Sequence, residues 1–241
     1  MLNRQLFVIS GDNNLKNERY NIAIFDTFKT QRAKFTGEAK RQRGIIAHLA
    51  TEQSPELRTR TSIAHVIAKK HGILWQNIYS GIFKDLDEVL IPSGVVRECG
   101  RLPLRRGPKA LQLEGVPFYE LTGTGLLVAS SIEEMGEDRM KILETYLRSM
   151  LVKDENEKIL YNGILLLVRF APAFVFKIIS EYIYAYSTGS IDAISPIDIK
   201  KFQSAVSKQI TMECQLIEAF DKLPPEQKDL VRRFLKTIGC Y

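Results

Sequence analysis

The sequence predicts a mainly α protein that carries one small β hairpin. Apolar residues recur at helical spacing over most of the chain. Short apolar runs separated by Gly and Pro stand near the middle, between residues 95 and 121, where they predict strands. Charge is divided unevenly, because residues 1–131 hold 19 Lys and Arg against 12 Asp and Glu, whereas residues 132–241 hold 15 against 16. These observations indicate a basic N-terminal half and a nearly neutral helical C-terminal half.

The length and the charge set limits on function. A chain of 241 residues can form one large or two modest domains with a real hydrophobic core. The excess positive charge of +7 in residues 1–131 suits a half that binds a polyanion. A soluble basic protein without a polyanion partner is the alternative, and the charge by itself does not separate the two.

The N-terminal half is predicted to hold three helices after an arm. Residues 1–36 are expected to form an N-terminal arm or a small hairpin, with short strands at 6–9 and 20–25. The first helix is predicted at 37–53. A second helix begins near Thr61 and ends at Gly72, a residue typical of helix C-termini. A third helix is predicted at 75–90.

Strands and further helices follow. The strands are predicted at 95–99, 110–113 and 117–121, and Thr122 is placed to cap a helix at 123–132. The remaining helices are predicted at 133–151, 155–187 with a break at Pro172, 196–222, and 225–238. Charged side chains interrupt the most apolar stretch, Tyr161–Tyr186, which therefore indicates a buried core helix and no membrane span.

A resemblance to a known family begins at the second and third helices. The segment Thr61–Gly94 resembles a prokaryotic helix–turn–helix, in which 63–68 lies in the first helix, 71–73 in the turn, and Trp75 starts the recognition helix. A basic run from Arg101 to Lys109 and a strand ending in Tyr-x-Leu-Thr follow it. Together, these features are similar to those of winged helix-turn-helix DNA-binding proteins of the prokaryotic or archaeal transcription-regulator type.

The resemblance implies a fold class and a domain organisation. The fold would be mainly α with a small β wing. A winged helix-turn-helix domain would cover residues 37–132, and a helical domain for dimerisation or partner binding would cover 133–241.

The resemblance also implies a function, which is sequence-specific binding of double-stranded DNA by a transcription regulator. The third helix would read bases in the major groove, while the wing and flanking cations would hold phosphates. A solvated helix face and a solubilising hairpin are the alternative. In that case the winged helix is a scaffold, and the chain is a protein–protein interaction module. The residues expected to contact DNA are Gln76, Asn77, Tyr79, Ser80, Arg97, Arg101, Arg105, Arg106, Lys109, Lys40, Arg41 and Arg43.

The sequence contains no motif typical of an enzyme, a cofactor site or a metal site. The sequence has neither a Gly-x-x-x-x-Gly-Lys-[Ser/Thr] phosphate loop nor a Gly-x-Ser-x-Gly elbow. Its three cysteines are scattered and do not form a metal-binding spacing with the histidines. We therefore expect no enzyme activity, no cofactor and no metal. Reduced thiols and the lack of a signal-peptide pattern predict a cytoplasmic, nucleoid-associated protein.

A homodimer is the last expectation. The apolar excess of Tyr161–Tyr186 is followed by a second apolar helix, so a domain of about 110 residues has limited interior to cover both. A symmetric partner would supply the missing surface, although mutual burial within one chain is the alternative. The sequence assigns no small-molecule effector. The apolar residues of the second helix are Ile210, Leu216, Ile217 and Phe220.

Overall fold

A computed structural model describes residues 22–103 and 115–237 of the chain, apart from the side chains of Arg32 and Ala33. The described part is mainly helical and has two small antiparallel sheets of two strands each. In chain order the elements are β1 (Thr27–Phe28), β2 (Gln31–Phe35), α1 (Gly37–Thr51), α2 (Arg60–His71), α3 (Gln76–Lys84), β3 (Val96–Leu102), β4 (Val116–Leu121), α4 (Gly123–Ser130), α5 (Asp138–Ser149), α6 (Glu155–Phe170), α7 (Pro172–Ser187), α8 (Ile199–Lys222) and α9 (Pro225–Thr237).

The N-terminal hairpin differs from the prediction. Residues 22–25 are not a strand, and pairing begins only at β1. The reason is that α1 takes the backbone groups of this segment: the Ala23 N–H donates to Gln42 Oε1 at 2.8 Å, and Arg43 Nη1 donates to the Ile24 carbonyl at 3.0 Å. Ile22 and Ile24 are buried in the core instead. The strand predicted at 6–9 lies outside the described residues.

Local signals set the ends of the first three helices. Thr36 Oγ1 accepts a hydrogen bond from the Ala39 N–H at the start of α1, and Thr59 Oγ1 accepts from the Ser62 N–H at the start of α2. Gly72 ends α2 at φ +65°, a left-handed conformation that favours glycine. The third helix was predicted as one unit over 75–90, but its α-helical part ends at Lys84 and a π-helical segment, Asp85–Leu90, follows.

The β3–β4 hairpin comes next. Its register pairs Val96 with Leu121 and Leu102 with Val116, with an irregularity between Glu98 and Gly100. An isolated bridge between Thr59 and Phe118 adds the residue before α2 to the edge of β4. The strand predicted at 110–113 lies outside the described residues. The predicted cap at Thr122 is confirmed, because its Oγ1 accepts from the Gly125 N–H at 3.1 Å.

One apolar core runs through the described helices from α1 to α8. The break predicted at Pro172 is confirmed, since α6 ends at Phe170 and α7 begins at Pro172. The helix predicted from 133 begins with a 3₁₀ turn, Glu133–Met135, before α5, and the helix predicted from 196 begins at Ile199. Within residues 22–103 and 115–237, no helix has the length and apolarity needed to cross a bilayer.

Candidate nucleic-acid interface

The candidate interface is built on α2, a short turn and α3. The Ile73 N–H donates to the Ala68 carbonyl at 3.1 Å, which closes the end of α2 and starts the turn. α3 then packs inward through Ile82, which is buried, and through Ile78 at its edge. Ile78, Ile82 and, beyond α3, Leu86 follow one another at helical spacing, which predicts that they face inward, and they do so.

An aromatic ladder fixes α3 against α2. Ring centroids lie 4.6 Å apart for His65 and Trp75, 5.3 Å for Trp75 and Tyr79, and 4.6 Å for Tyr79 and Phe83. The guanidinium of Arg60 lies 4.4 Å from the Phe83 ring centroid and extends the ladder. Because Trp75, Tyr79 and Phe83 follow one another at i, i+4 and i+8, they share one side of α3. Tyr79, predicted to contact DNA, is half-buried within this ladder.

Three of the predicted α3 residues are exposed and without a partner. The side chains of Gln76, Asn77 and Ser80 face solvent in the first turn and a half of α3. None of the three side chains makes a hydrogen bond to another residue in the described part of the chain. Amide and hydroxyl groups in this position are free to pair with an external partner.

Arg41 is half-buried, and its guanidinium is paired within the protein. Arg41 Nε donates to Asp85 Oδ2 at 2.7 Å, so the guanidinium ties α1 to the segment after α3. Gly81 makes this contact possible, because a Cβ at that position would lie 2.7 Å from Arg41 Nε. Asp85 is 1% exposed, and burial raises the pKa of its carboxyl even though Arg41 acts in the opposite direction.

Arg43 is also used internally. It is 5% exposed, donates to the Ile24 carbonyl, and forms a two-pronged ion pair with Glu134, with Nε 3.0 Å from Oε1. Its guanidinium stacks 4.2 Å from the Phe35 ring centroid. Burial acts to raise the pKa of Glu134, but the hydrogen bond and charge of Arg43 outweigh it and the pKa is lowered. Because phosphate binding would require breaking these contacts, we leave Arg41 and Arg43 out of the candidate interface.

The hairpin arginines are paired but accessible. Arg97 Nε donates to Glu120 Oε1 at 2.7 Å, and Arg101 Nε donates to Glu98 Oε1 at 2.8 Å. The Arg97 side chain is nevertheless 67% exposed. A hydrogen bond from the Cys99 thiol, together with Arg97, lowers the pKa of Glu120 against the effect of burial. Exposed ion pairs of this kind contribute about 0–1 kcal/mol, so a phosphate can replace the carboxylate at little cost.

Of the remaining predicted cations, Lys40 is exposed near the start of α1 and has no carboxylate within 4.0 Å among the described residues. Near the end of α2, Lys69 and Lys70 are also exposed, with no carboxylate within 4.0 Å in the described part of the chain. The predicted wing contacts Arg105, Arg106 and Lys109 lie outside the described residues.

Sequence reasoning missed the acids that pair with the arginines of α1, the buried Asp85 and the partly exposed Glu134. It did indicate an unusual turn, because three consecutive apolar residues, ending at Trp75, stand where polar residues are usual. The structure exposes two of them, since Ile73 is 44% exposed and Leu74 is 70% exposed.

Comparison of the chain with protein-family models, with curated proteins and with solved structures gives no match. Among the described residues, no group of three or more His, Cys, Asp or Glu side chains is arranged to hold a metal ion. The candidate interface presents exposed amides, a hydroxyl and cations to solvent.

Proposed function

We propose that the protein binds double-stranded DNA in a sequence-specific manner, as a transcription regulator of a prokaryotic or archaeal cell. The observation that carries this proposal is the first part of α3. It presents Gln76, Asn77 and Ser80 to solvent directly after a tight turn from α2, while its other side is fixed by the core and the aromatic ladder.

These side chains suit base readout. Asn and Gln can pair through two hydrogen bonds with the N6 and N7 edge of adenine, and Ser can donate or accept at either base of a pair. α3 has nine residues, so it is roughly 13 Å long. The width of an α-helix with its side chains fits the major groove of B-DNA, which is about 12 Å wide. The helix N-terminus would enter the groove first, as in helix–turn–helix proteins.

The order of elements also supports the proposal. Three helices are followed by an antiparallel hairpin, and the bridge from Thr59 to Phe118 joins the residue before α2 to that hairpin. This order agrees with the winged helix-turn-helix family that the sequence resembles. In such a domain the hairpin lies beside the recognition helix, where Arg97, Arg101 and the sequence-predicted Arg105, Arg106 and Lys109 would meet phosphates or the minor groove.

Selection from a pool of randomised duplexes tests the proposal. The full chain should enrich a defined sequence, and a variant with Gln76→Ala and Asn77→Ala should enrich a different or less defined one. The matched control, Asn156→Ala on the exposed face of α6, should enrich the wild-type sequence. Failure of the folded wild-type chain to enrich any sequence would show that α3 does not read bases.

A second candidate function is protein–protein interaction on the same scaffold. The exposed Ile73 and Leu74 favour it, because a large apolar surface at the tip of a turn gains more from a protein groove than from DNA. If this function is the true one, Leu74→Ser should abolish partner binding and high salt should leave binding intact, whereas DNA binding should weaken steeply with salt.

A further inference from the structure

We propose that the second part of α8 and the whole of α9 form an arm through which two copies of the chain associate. The arm comprises residues 209–237. None of its α9 residues is buried, and Leu230 and Phe234 are 67% and 57% exposed. The large apolar side chains that the arm exposes are Met212, Leu216, Ile217, Leu230 and Phe234.

In the described chain the arm contacts the core at its start, through the partly buried Ile210. The buried residues of α8 are Phe202 and Val206, both in its first third, and the Phe202 ring packs 5.3 Å from that of Tyr182 in α7. From Val206 to the end of α8 at Lys222 the helix rises by roughly 24 Å without a buried residue. Exposed apolar side chains along this length have no covering surface within the described chain.

Folding α9 back onto its own α8 does not cover the exposed side chains. One side of α9 already packs against α8. There, Lys228 Nζ and Arg232 Cζ lie 5.7 and 5.4 Å from the ring centroid of Phe220. Val231 and Leu235 are half-buried on that same side. At about 100° per residue, Leu230 lies roughly 200° around the helix from Lys228. Leu230 therefore faces away from α8, and Phe234, one turn later, faces away with it.

Charge identifies a second copy as the occupant. The α8 part of the arm, 209–222, carries three acids and one base, a net charge of −2. α9 carries four bases and two acids, a net charge of +2. A two-fold symmetric dimer can place α8 of each copy against α9 of the other. That arrangement covers the apolar side chains and brings opposite charges together twice. The acids of the arm are Glu213, Glu218, Asp221, Glu226 and Asp229, and its bases are Lys222, Lys228, Arg232, Arg233 and Lys236.

This surface keeps one part of the surface that the sequence suggested and drops the other. Leu216 and Ile217 of the predicted second helix are exposed in the arm. Most apolar residues of Tyr161–Tyr186 instead belong to the core, including Ile164, Val168 and Ile179, and need no partner. The proposed dimer surface therefore lies at the C-terminal end of the predicted one and continues into α9. The inference goes beyond DNA binding and does not depend on it, since self-association can be measured without DNA.

The oligomeric state of the full chain tests the proposal. Light scattering at micromolar concentration should give twice the single-chain mass of 27.5 kDa, and the mass should fall on dilution. A variant with Leu230→Glu and Phe234→Glu should have the single-chain mass while its circular dichroism stays that of a folded helical protein. The matched control places the same charges on exposed apolar residues of α6, as Ile159→Glu and Leu166→Glu, and should remain a dimer.

Charge reversal tests the pairing of α8 with α9. One variant carries Glu213→Lys, Glu218→Lys and Asp221→Lys, and the other carries Arg232→Glu, Arg233→Glu and Lys236→Glu. Each alone should be monomeric, because its own two helices then repel those of a second copy, and an equimolar mixture should form heterodimers. A monomeric wild type, a dimer that survives the arm substitutions, or a mixture that stays monomeric would each overturn the proposal.

Discussion

The sequence predicted DNA contacts from both α1 and α3. The two helices differ in whether their polar side chains already have partners within the chain. The arginines of α1 are paired within the chain, Arg41 with Asp85 and Arg43 with Glu134. The amides of α3, on Gln76 and Asn77, face solvent and have no partner among the described residues. The difference teaches that a residue type suited to DNA is available for binding only where the fold leaves it unsatisfied. Substitutions of the two α1 arginines should therefore change stability, and substitutions in α3 should change binding.

The largest effect is expected from Arg41→Ala. Removing the guanidinium leaves the Asp85 carboxylate buried without its partner, which costs about 3–5 kcal/mol of unfolding free energy at neutral pH. The loss should shrink in acid, since protonated Asp85 needs no counter-charge and its raised pKa brings protonation on earlier. Denaturant unfolding at neutral and acid pH measures both the loss of unfolding free energy and its decrease in acid. The unfolding free energy of the neighbouring exposed variant Lys40→Ala should stay within about 0.5 kcal/mol of wild type. Equal losses in the two variants would contradict the internal role of Arg41.

The next largest effect concerns α3. Ser80→Glu places a negative charge on the surface proposed to enter the groove, so the selected duplex should bind more than tenfold more weakly, a loss of at least about 1.4 kcal/mol. Fluorescence anisotropy with the selected duplex measures this. The unfolding free energy should change by less than about 0.5 kcal/mol, because Ser80 is exposed. Ser204→Glu on the exposed face of α8 is the control, and an equal loss there would mean that general charge, not α3, sets affinity.

A smaller effect, dependent on pH, is expected from Glu134→Gln. The lowered pKa of Glu134 means that its pair with Arg43 stabilises the fold above the unfolded-state pKa of about 4.5. This stabilisation is lost as the pH falls through the lower folded-state value. Glu134 is partly exposed, so solvent screening limits the effect to about 0.2–1 kcal/mol at pH 7.

Unfolding curves at several pH values check this prediction. The gap in unfolding free energy between Glu134→Gln and wild type should close as the pH falls from about 4.5 through the lower folded-state pKa of Glu134. Glu137→Gln, a nearby exposed substitution, should follow wild type throughout. A gap that stays constant with pH would show that the loss comes from packing and not from the charge of Glu134.

The smallest effect is expected from Lys40→Ala. As an exposed cation with no partner among the described residues, Lys40 should contribute one phosphate contact, so the slope of log affinity against log salt should fall by about 0.9. The preferred sequence should not change, because a phosphate contact carries no base information. A salt titration of the selected duplex measures the slope, with Lys200→Ala as control. A changed sequence preference would place Lys40 among the base-reading residues.

The sequence predicted those features that depend on neighbouring residues. The start of α1, the cap at Thr122 and the break at Pro172 follow from local chemistry within a few residues. The backbone at Ile22–Ile24 did not follow its strand-like pattern, because groups 19 residues later in the chain take its hydrogen bonds. Contacts across such distances leave no mark in a local pattern.

The candidate site shows the same division. Helical spacing predicted that Gln76, Asn77, Tyr79 and Ser80 lie off the inward-facing stripe of the third helix. All of them are exposed except Tyr79, which is half-buried in the aromatic ladder. The pairing of the α1 arginines was not predictable, since Arg41 meets an acid 44 residues away and Arg43 one 91 residues away. An apolar pattern likewise does not tell whether a helix is buried. Both α7 and the α8–α9 arm carry apolar residues at helical spacing, but α7 is buried and the arm is not.

Equilibrium binding of the full chain to its selected duplex and to a scrambled duplex, over a series of salt concentrations, tests the central claim most directly. We predict tighter binding to the selected duplex at every salt concentration, by a factor of about 10³ or more. Affinity for both duplexes should fall steeply and linearly with log salt, because phosphate contacts release counterions. Equal affinity for the two duplexes, or binding to neither by a folded chain, would contradict the account.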